Sequence, residues 1–198
     1  NKGRRTIFLL GTQFNMNNNN QRYLGLVIVV FKILEVIRIR VLALDQATVS
    51  GYVFFNNYDI IDKGLISLKD VDFPLSFFRQ TLVELINKHK PDVLPLEDLR
   101  SMRNAFTVRR LQQITGVARE VCETYGIPCY ECLTVTVRSK LCTVKTGEKG
   151  RATKFDLARR VCSMYDWEYP TNKNGTEIKN AQHKFFNITD AAGIGLYY

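Results

Sequence analysis

The sequence predicts an α/β domain built on a mixed sheet of five strands flanked by helices. Three strand-like runs follow one another between Val41 and Leu68. Strand and helix patterns then alternate to about Tyr165, and a final helix rich in small residues closes the chain. A chain of 198 residues, 45% of them hydrophobic, is long enough for one well-buried domain of this kind. No internal repeat is visible.

Val41 to Leu44 reads as a buried strand that runs directly into Asp45. A carboxylate at the end of such a strand must be paired, hydrogen-bonded or bound to a metal, because desolvating it alone costs several kcal/mol. After a tight turn, Val49–Phe55 and Tyr58–Leu68 form two β-rich runs joined at Asn56-Asn57, a pair that accepts left-handed turn geometry. Leu75, Phe78, Leu82, Leu85 and Ile86 recur at helical spacing, with Pro74 suited to a first turn. They predict an amphipathic helix over Pro74–Lys90 that covers one sheet face.

Pro91–Leu96 is the fourth strand, and Glu97 stands at its end as Asp45 does after Leu44. Asn104 caps a helix with Val108, Leu111, Ile114, Ala118, Val121 and Tyr125 on its apolar face. Gly116 within that pattern predicts close packing. The stop signal Gly126 precedes a fifth strand, Ile127–Cys132, and a basic segment then loops around Gly147 and Gly150. Thr153 and Asp156 form a capping box for a helix to about Tyr165. Asn172 to Gly175 is a polar loop, and Ile188–Tyr198 the last helix, with Asp190 in its first turn.

The formal charge of +9 points to an anionic partner, and its distribution is uneven. Residues 1–40 carry +6, and Leu133 to Arg160 another +6, which leaves the remainder at −3. Arg138, Lys140, Lys145, Lys149, Arg151 and Lys154 lie in that second segment, beside strand ends that carry acids, and predict a phosphate track. Residues 1–40, with Asn17–Asn20 and hardly any acid, read as an extension: a disordered arm, a targeting segment or sequence upstream of the true start. The domain is residues 41–198.

Tyr23 to Ile39 is broken by Lys32, Glu35 and Arg38, so no membrane span is expected. Five cysteines, an odd number, suggest reduced thiols in an intracellular, cytoplasmic protein. Cys129 and Cys132 form a CxxC without a second pair or nearby histidine, and read as structural rather than zinc-binding.

The stretches VLALDQATVSGYVFF, PDVLPLEDLRSMRNA, LQQITGVARE, VRSKLCTVKTGEKGRATKFDLA and NITDAAGIGL, in that order, resemble the RuvC family of Holliday-junction resolvases over Val41–Tyr198. That resemblance implies a ribonuclease H-like fold and a metal-dependent, structure-selective DNA endonuclease acting on four-way junctions. It implies catalytic and metal-ligating roles for Asp45, Glu97 and Asp190, with two Mg²⁺ or Mn²⁺ ions and a homodimer matching the two-fold symmetry of the junction. Arg100, Arg103 and Asn104 fall where the family contacts the junction. Arg138, Lys140 and Lys154 fall on its phosphate-contacting positions, with Lys154 nearest the scissile phosphate.

Where the family carries an acid or histidine three positions before the last Asp, this chain has Asn187. Its amide oxygen can ligate a metal but brings no charge. A second reading follows, that of a branched-DNA-binding protein with weakened or lost catalysis. A third, an ATP-binding fold using Asp45-Gln46-Ala47-Thr48 as a phosphate loop, is disfavoured by the lack of a glycine after Asp45. The helix from Asn104 to Tyr125 is the expected dimer interface, although it could equally pack on the sheet.

Overall fold

The computed structural model describes residues 6–9, 12–15, 38–99, 105–142, 151–180 and 182–198. The chain separates into two compact units, Asn1–Arg38 and Ile39–Tyr198. In the first, β1 (Thr6–Leu9) and β2 (Thr12–Asn15) pair antiparallel, with Thr6 opposite Asn15.

The second unit holds the sheet. Its strands are β3 (Arg40–Asp45), β4 (Val49–Asn56), β5 (Asp59–Ser67), β6 (Leu94–Glu97) and β7 (Cys129–Cys132), in the spatial order β5-β4-β3-β6-β7. β4 is antiparallel to both β3 and β5, whereas β3, β6 and β7 run parallel. This is the mixed five-stranded sheet expected from the sequence. Asn57 takes the left-handed conformation at the β4–β5 turn, with φ 58°.

Side-chain alternation divides the core in two. Leu42, Leu44, Phe54, Ile66, Leu94 and Leu96 face α1 (Pro74–His89) and α2 (Ala105–Tyr125). Val41, Ala43, Val53, Phe55 and Val93 face α3 (Thr134–Leu141), α4 (Lys154–Tyr165) and α5 (Phe185–Tyr197). A strand covered on both faces has no polar side, which is why β3 reads as an unbroken apolar run. No described helix is long and apolar enough to cross a membrane.

Three expectations are corrected. α3 was expected as part of a basic loop. Its Thr-Val-Thr-Val start has weak helix propensity, and burial of Val137 in the core overrides it. The last helix begins at Phe185, not Ile188, because Phe186 is fully buried with its ring against Phe155 and Tyr169, so Asp190 lies in the second turn. A Cβ at Gly116 would meet no atom within 4 Å among the described residues, so that glycine marks no close packing with them; it borders an open cleft of about 490 Å³ with Asp98, Gln112 and Thr115. Cys129 joins the α1–α2 core and Cys132 the opposite one, as residues three apart on a strand must, so the CxxC thiols are not placed to share an ion. Arg100, Arg103, Asn104, Lys145 and Lys149, and the loop around Gly147 and Gly150, lie outside the described residues.

Candidate active site

The parallel strands β3, β6 and β7 present their carboxyl ends at one edge, the usual place for ligands in an open α/β sheet. Leu44 is paired with Leu96, so the next residues, Asp45 and Glu97, are neighbours at a strand spacing of about 4.8 Å. Alternation sends both toward α3, α4 and α5. Asp190 faces them from α5, which packs on β3 and β4 through Ala191, Ala192 and Ile194. Asp45, Glu97 and Asp190 are 6%, 9% and 3% exposed, so three acids far apart in sequence share one buried edge.

Burial and proximity perturb Asp45 and Glu97. Burial, and then the charges of Asp190 and Glu97, hold the Asp45 carboxyl well above the ordinary range, with Lys154 opposing. Burial also raises Glu97, against a hydrogen bond from Thr134 Oγ1 to its Oε1 at 3.0 Å. Asp45 and Glu97 lie within hydrogen-bond reach of each other, which favours one shared proton. The Oδ1 atom of Asp190 is fully buried and accepts no hydrogen bond among the described residues.

Two cations meet these acids. Lys154 Nζ is 3.0 Å from Asp190 Oδ2, and an Arg138 guanidinium nitrogen 3.5 Å from Asp190 Oδ1. Lys154 is the first residue of α4, where a positive charge opposes the helix dipole. Asp190 and the capping box compensate: Asp156 accepts from the Thr153 backbone N–H at 2.7 Å, and the Thr153 hydroxyl accepts from the Asp156 N–H. Thr153→Ala should therefore destabilise the protein by about 1 kcal/mol, read by urea unfolding. Lys140 and Arg151 are exposed and make no described contact with the acids.

Asn187 lies one turn before Asp190 on α5. Its Nδ2 donates to the Val49 carbonyl at 2.6 Å, which leaves Oδ1 as the atom able to ligate. That bond is possible because β4 and the start of α5 nearly touch at Gly51, the residue paired with Asp45.

The donor set suits a hard divalent cation: carboxylate oxygens that repel one another, one of them buried without a hydrogen bond among the described residues, and a neutral amide oxygen. Among the described residues, no group of three His, Cys, Asp or Glu is drawn together closely enough to hold an ion as it stands. Lys154 and Arg138 supply the countercharge to Asp190 instead.

The sequence reading missed Thr134, Gln46 and Gly51. Thr134 could have been found from its position directly after a strand that ends beside Glu97. Gln46 follows the catalytic candidate Asp45 but carries no signal of burial, and Gly51 looks like any strand glycine.

No family model matches the chain. It is 28% identical, over 116 residues, to the crossover junction endodeoxyribonuclease RuvC of Nitratidesulfovibrio vulgaris strain Hildenborough, covering 57% of this chain and 68% of that protein. The protein of the same name from strain DP4 is 27% identical over the same shares. Among solved structures, Thermus thermophilus RuvC in complex with a Holliday junction substrate superposes with a TM-score of 0.61 at 14% identity, over 80% of this chain and 90% of that one. The yeast mitochondrial Holliday junction resolvase Ydc2 gives 0.52 at 17% identity, over 80% and 76%. These structural likenesses are of fold.

Proposed function

Starting from a chain that is RuvC-like in sequence and ribonuclease H-like in fold, we propose that it is an endodeoxyribonuclease that resolves Holliday junctions, with Asp45, Glu97 and Asp190 as its active site. The observation that carries this reading is the alignment of Asp45 and Glu97 at adjacent parallel strand ends, with Asp190 facing them from α5. Three buried acids at one edge destabilise a fold unless cations share the site. Asp45, Glu97, Asp190 and the Asn187 amide oxygen would hold Mg²⁺ or Mn²⁺, in our reading two ions. When bound, these would supply Lewis acidity for water attack on the phosphodiester and for departure of the 3′ oxygen.

The chain's own groups do the rest. Lys154 and Arg138 bring positive charge to the mouth of the site, where they would orient the scissile phosphate. Thr134 donates to one Glu97 oxygen and so holds that carboxylate in place. Lys140 and Arg151, with Lys145 and Lys149, would extend the phosphate contacts, and Arg100, Arg103 and Asn104 would meet the branch point. Residues 1–40 would form an extension to the nuclease domain at 41–198. A two-fold dimer would deliver paired cuts, and the open cleft beside Gly116 on α2 is the surface where a second copy would approach.

Asn187 motivates a second reading, a protein that binds branched DNA with weakened or no cutting. The deciding experiment is cleavage of a labelled four-way junction, with linear duplex as control, in Mg²⁺, in Mn²⁺ and in chelator. Metal-dependent paired nicks confined to the junction support the resolvase. Tight binding without cutting in either metal supports the alternative.

Asn187→Asp sharpens the choice. An aspartate there would set an oxygen against the Val49 carbonyl, so in chelator the variant should lose about 1–2 kcal/mol of unfolding free energy. For an active resolvase, cutting by this variant should not exceed wild type. A gain from none would favour the binding protein.

A further inference from the structure

Gln46 takes no part in the chemistry described above, yet it is only 1% exposed at the same edge as the acids. A buried amide has to be fully hydrogen-bonded to be tolerated, and this one is used at both ends. Its Oε1 accepts from the Glu97 backbone N–H at 2.9 Å, and its Nε2 donates to the Glu97 carbonyl. The same nitrogen lies 3.2 Å from Thr115 Oγ1 on α2.

These two hydrogen bonds satisfy the Glu97 N–H and carbonyl, the groups that the backbone of a neighbouring strand would otherwise pair with. The β3 backbone cannot do so, because the chain leaves the ladder after Asp45 and turns at Ala47–Ser50, where the Ser50 hydroxyl bonds both the N–H and the carbonyl of Ala47. The Gln46 side chain thus extends the β3–β6 ladder one step past the point where the backbone turns away. On the other flank, the Asp98 N–H donates to the Cys132 carbonyl at 2.9 Å. The strand end that bears Glu97 is clamped between β3 and β7.

We propose that Gln46 is a positioning residue: its amide holds the Glu97 main chain against β3, so that the Glu97 and Asp45 carboxylates stay side by side as one cation-binding edge. The inference rests on the active-site reading above. It requires a group of glutamine length that donates and accepts at once. Methionine has the length without either function, and asparagine has both functions but is one methylene short.

The test compares wild type with Gln46→Met by calorimetric titration of Mn²⁺, junction binding in chelator, junction cleavage, and hydrogen exchange at the Glu97 amide. Gln46→Met should bind Mn²⁺ and cut the junction about tenfold to a hundredfold more weakly, with binding in chelator unchanged. The Glu97 amide should be strongly protected in wild type and lose that protection selectively in the variant. A purely structural Gln46 would lower Tm while leaving Mn²⁺ affinity of the folded protein unmoved, and that result overturns the proposal. So does an unprotected Glu97 amide in wild type, a measurement that needs no variant to fold. If Gln46→Met does not fold, Gln46→Asn is held to the same criteria. Wild-type protein that neither binds Mn²⁺ nor cuts overturns the site assignment and the positioning role together. Normal wild-type behaviour with an indifferent variant overturns the positioning role alone.

Discussion

Asp45→Asn should abolish junction cutting, by a factor on the order of a thousand or more, while junction binding persists and the metal-free protein becomes more stable. The three effects share one cause. Asp45 is 6% exposed and sits against two other acids, so its charge is unfavourable in the fold and useful only toward a cation. An asparagine removes that charge and can still donate a hydrogen bond to Glu97. The expected gain is about 1–2 kcal/mol of unfolding free energy in chelator at neutral pH.

The pH dependence gives this prediction a second reading. A carboxyl whose folded value is raised contributes stability that is fully present below its unfolded value and lost as pH rises through the folded one. The stability difference between Asp45→Asn and wild type should therefore widen with rising pH through the raised Asp45 value, then level off. The lowered carboxyls, such as Asp92 held down by Arg40, tilt both proteins alike and cancel in the difference. A variant that loses cutting and binding together, with its fold intact, would count against the site assignment.

Gly51→Ala should be the most damaging conservative change at the site. A Cβ at Gly51 would lie 2.1 Å from the Asn187 carbonyl oxygen, 2.3 Å from its carbon and 2.7 Å from the Ile188 nitrogen. All three are backbone atoms and cannot rotate away, so the first turns of α5 must lift off β4. Overpacking of this kind costs about 3 kcal/mol or more, which lowers Tm by roughly 10 °C. Because Asp190 rides on α5 and Gly51 is paired with Asp45, cleavage should fall further than the folded fraction does, measured below the variant's Tm. Gly116→Ala is the control. Its Cβ would meet no atom within 4 Å among the described residues, so a helix-interior Gly→Ala exchange there should be neutral or stabilise by up to about 1 kcal/mol. Equal damage at both positions would dismiss the close-approach argument.

Much of the fold was legible because its signals are local. Val41–Leu44 announces a strand buried on both faces, Asn56-Asn57 the hairpin between β4 and β5, and Thr153 with Asp156 a helix start. Each depends on neighbours a few residues away. Asp45 and Glu97 were visible for the same reason, as acids placed where apolar runs stop. Asp190 and Lys154 were not legible from periodicity; the order of motifs resembling the RuvC family marked them.

What the chain alone determined, then, was which segments form strands and helices and which acids end them. Tertiary structure decided which polar groups those ends share. Gln46 and Glu97 are 51 residues apart, and Asn187 meets Val49 across 138. Such contacts follow from the register of β3 on β6 and the docking of α5 on β4. Val137 and Phe186 make the same point for helix boundaries, since burial in a distant core overrode the local preferences of α3 and moved the start of α5. Local pattern reports the face and the end of an element, whereas long-range packing selects the partner it meets there.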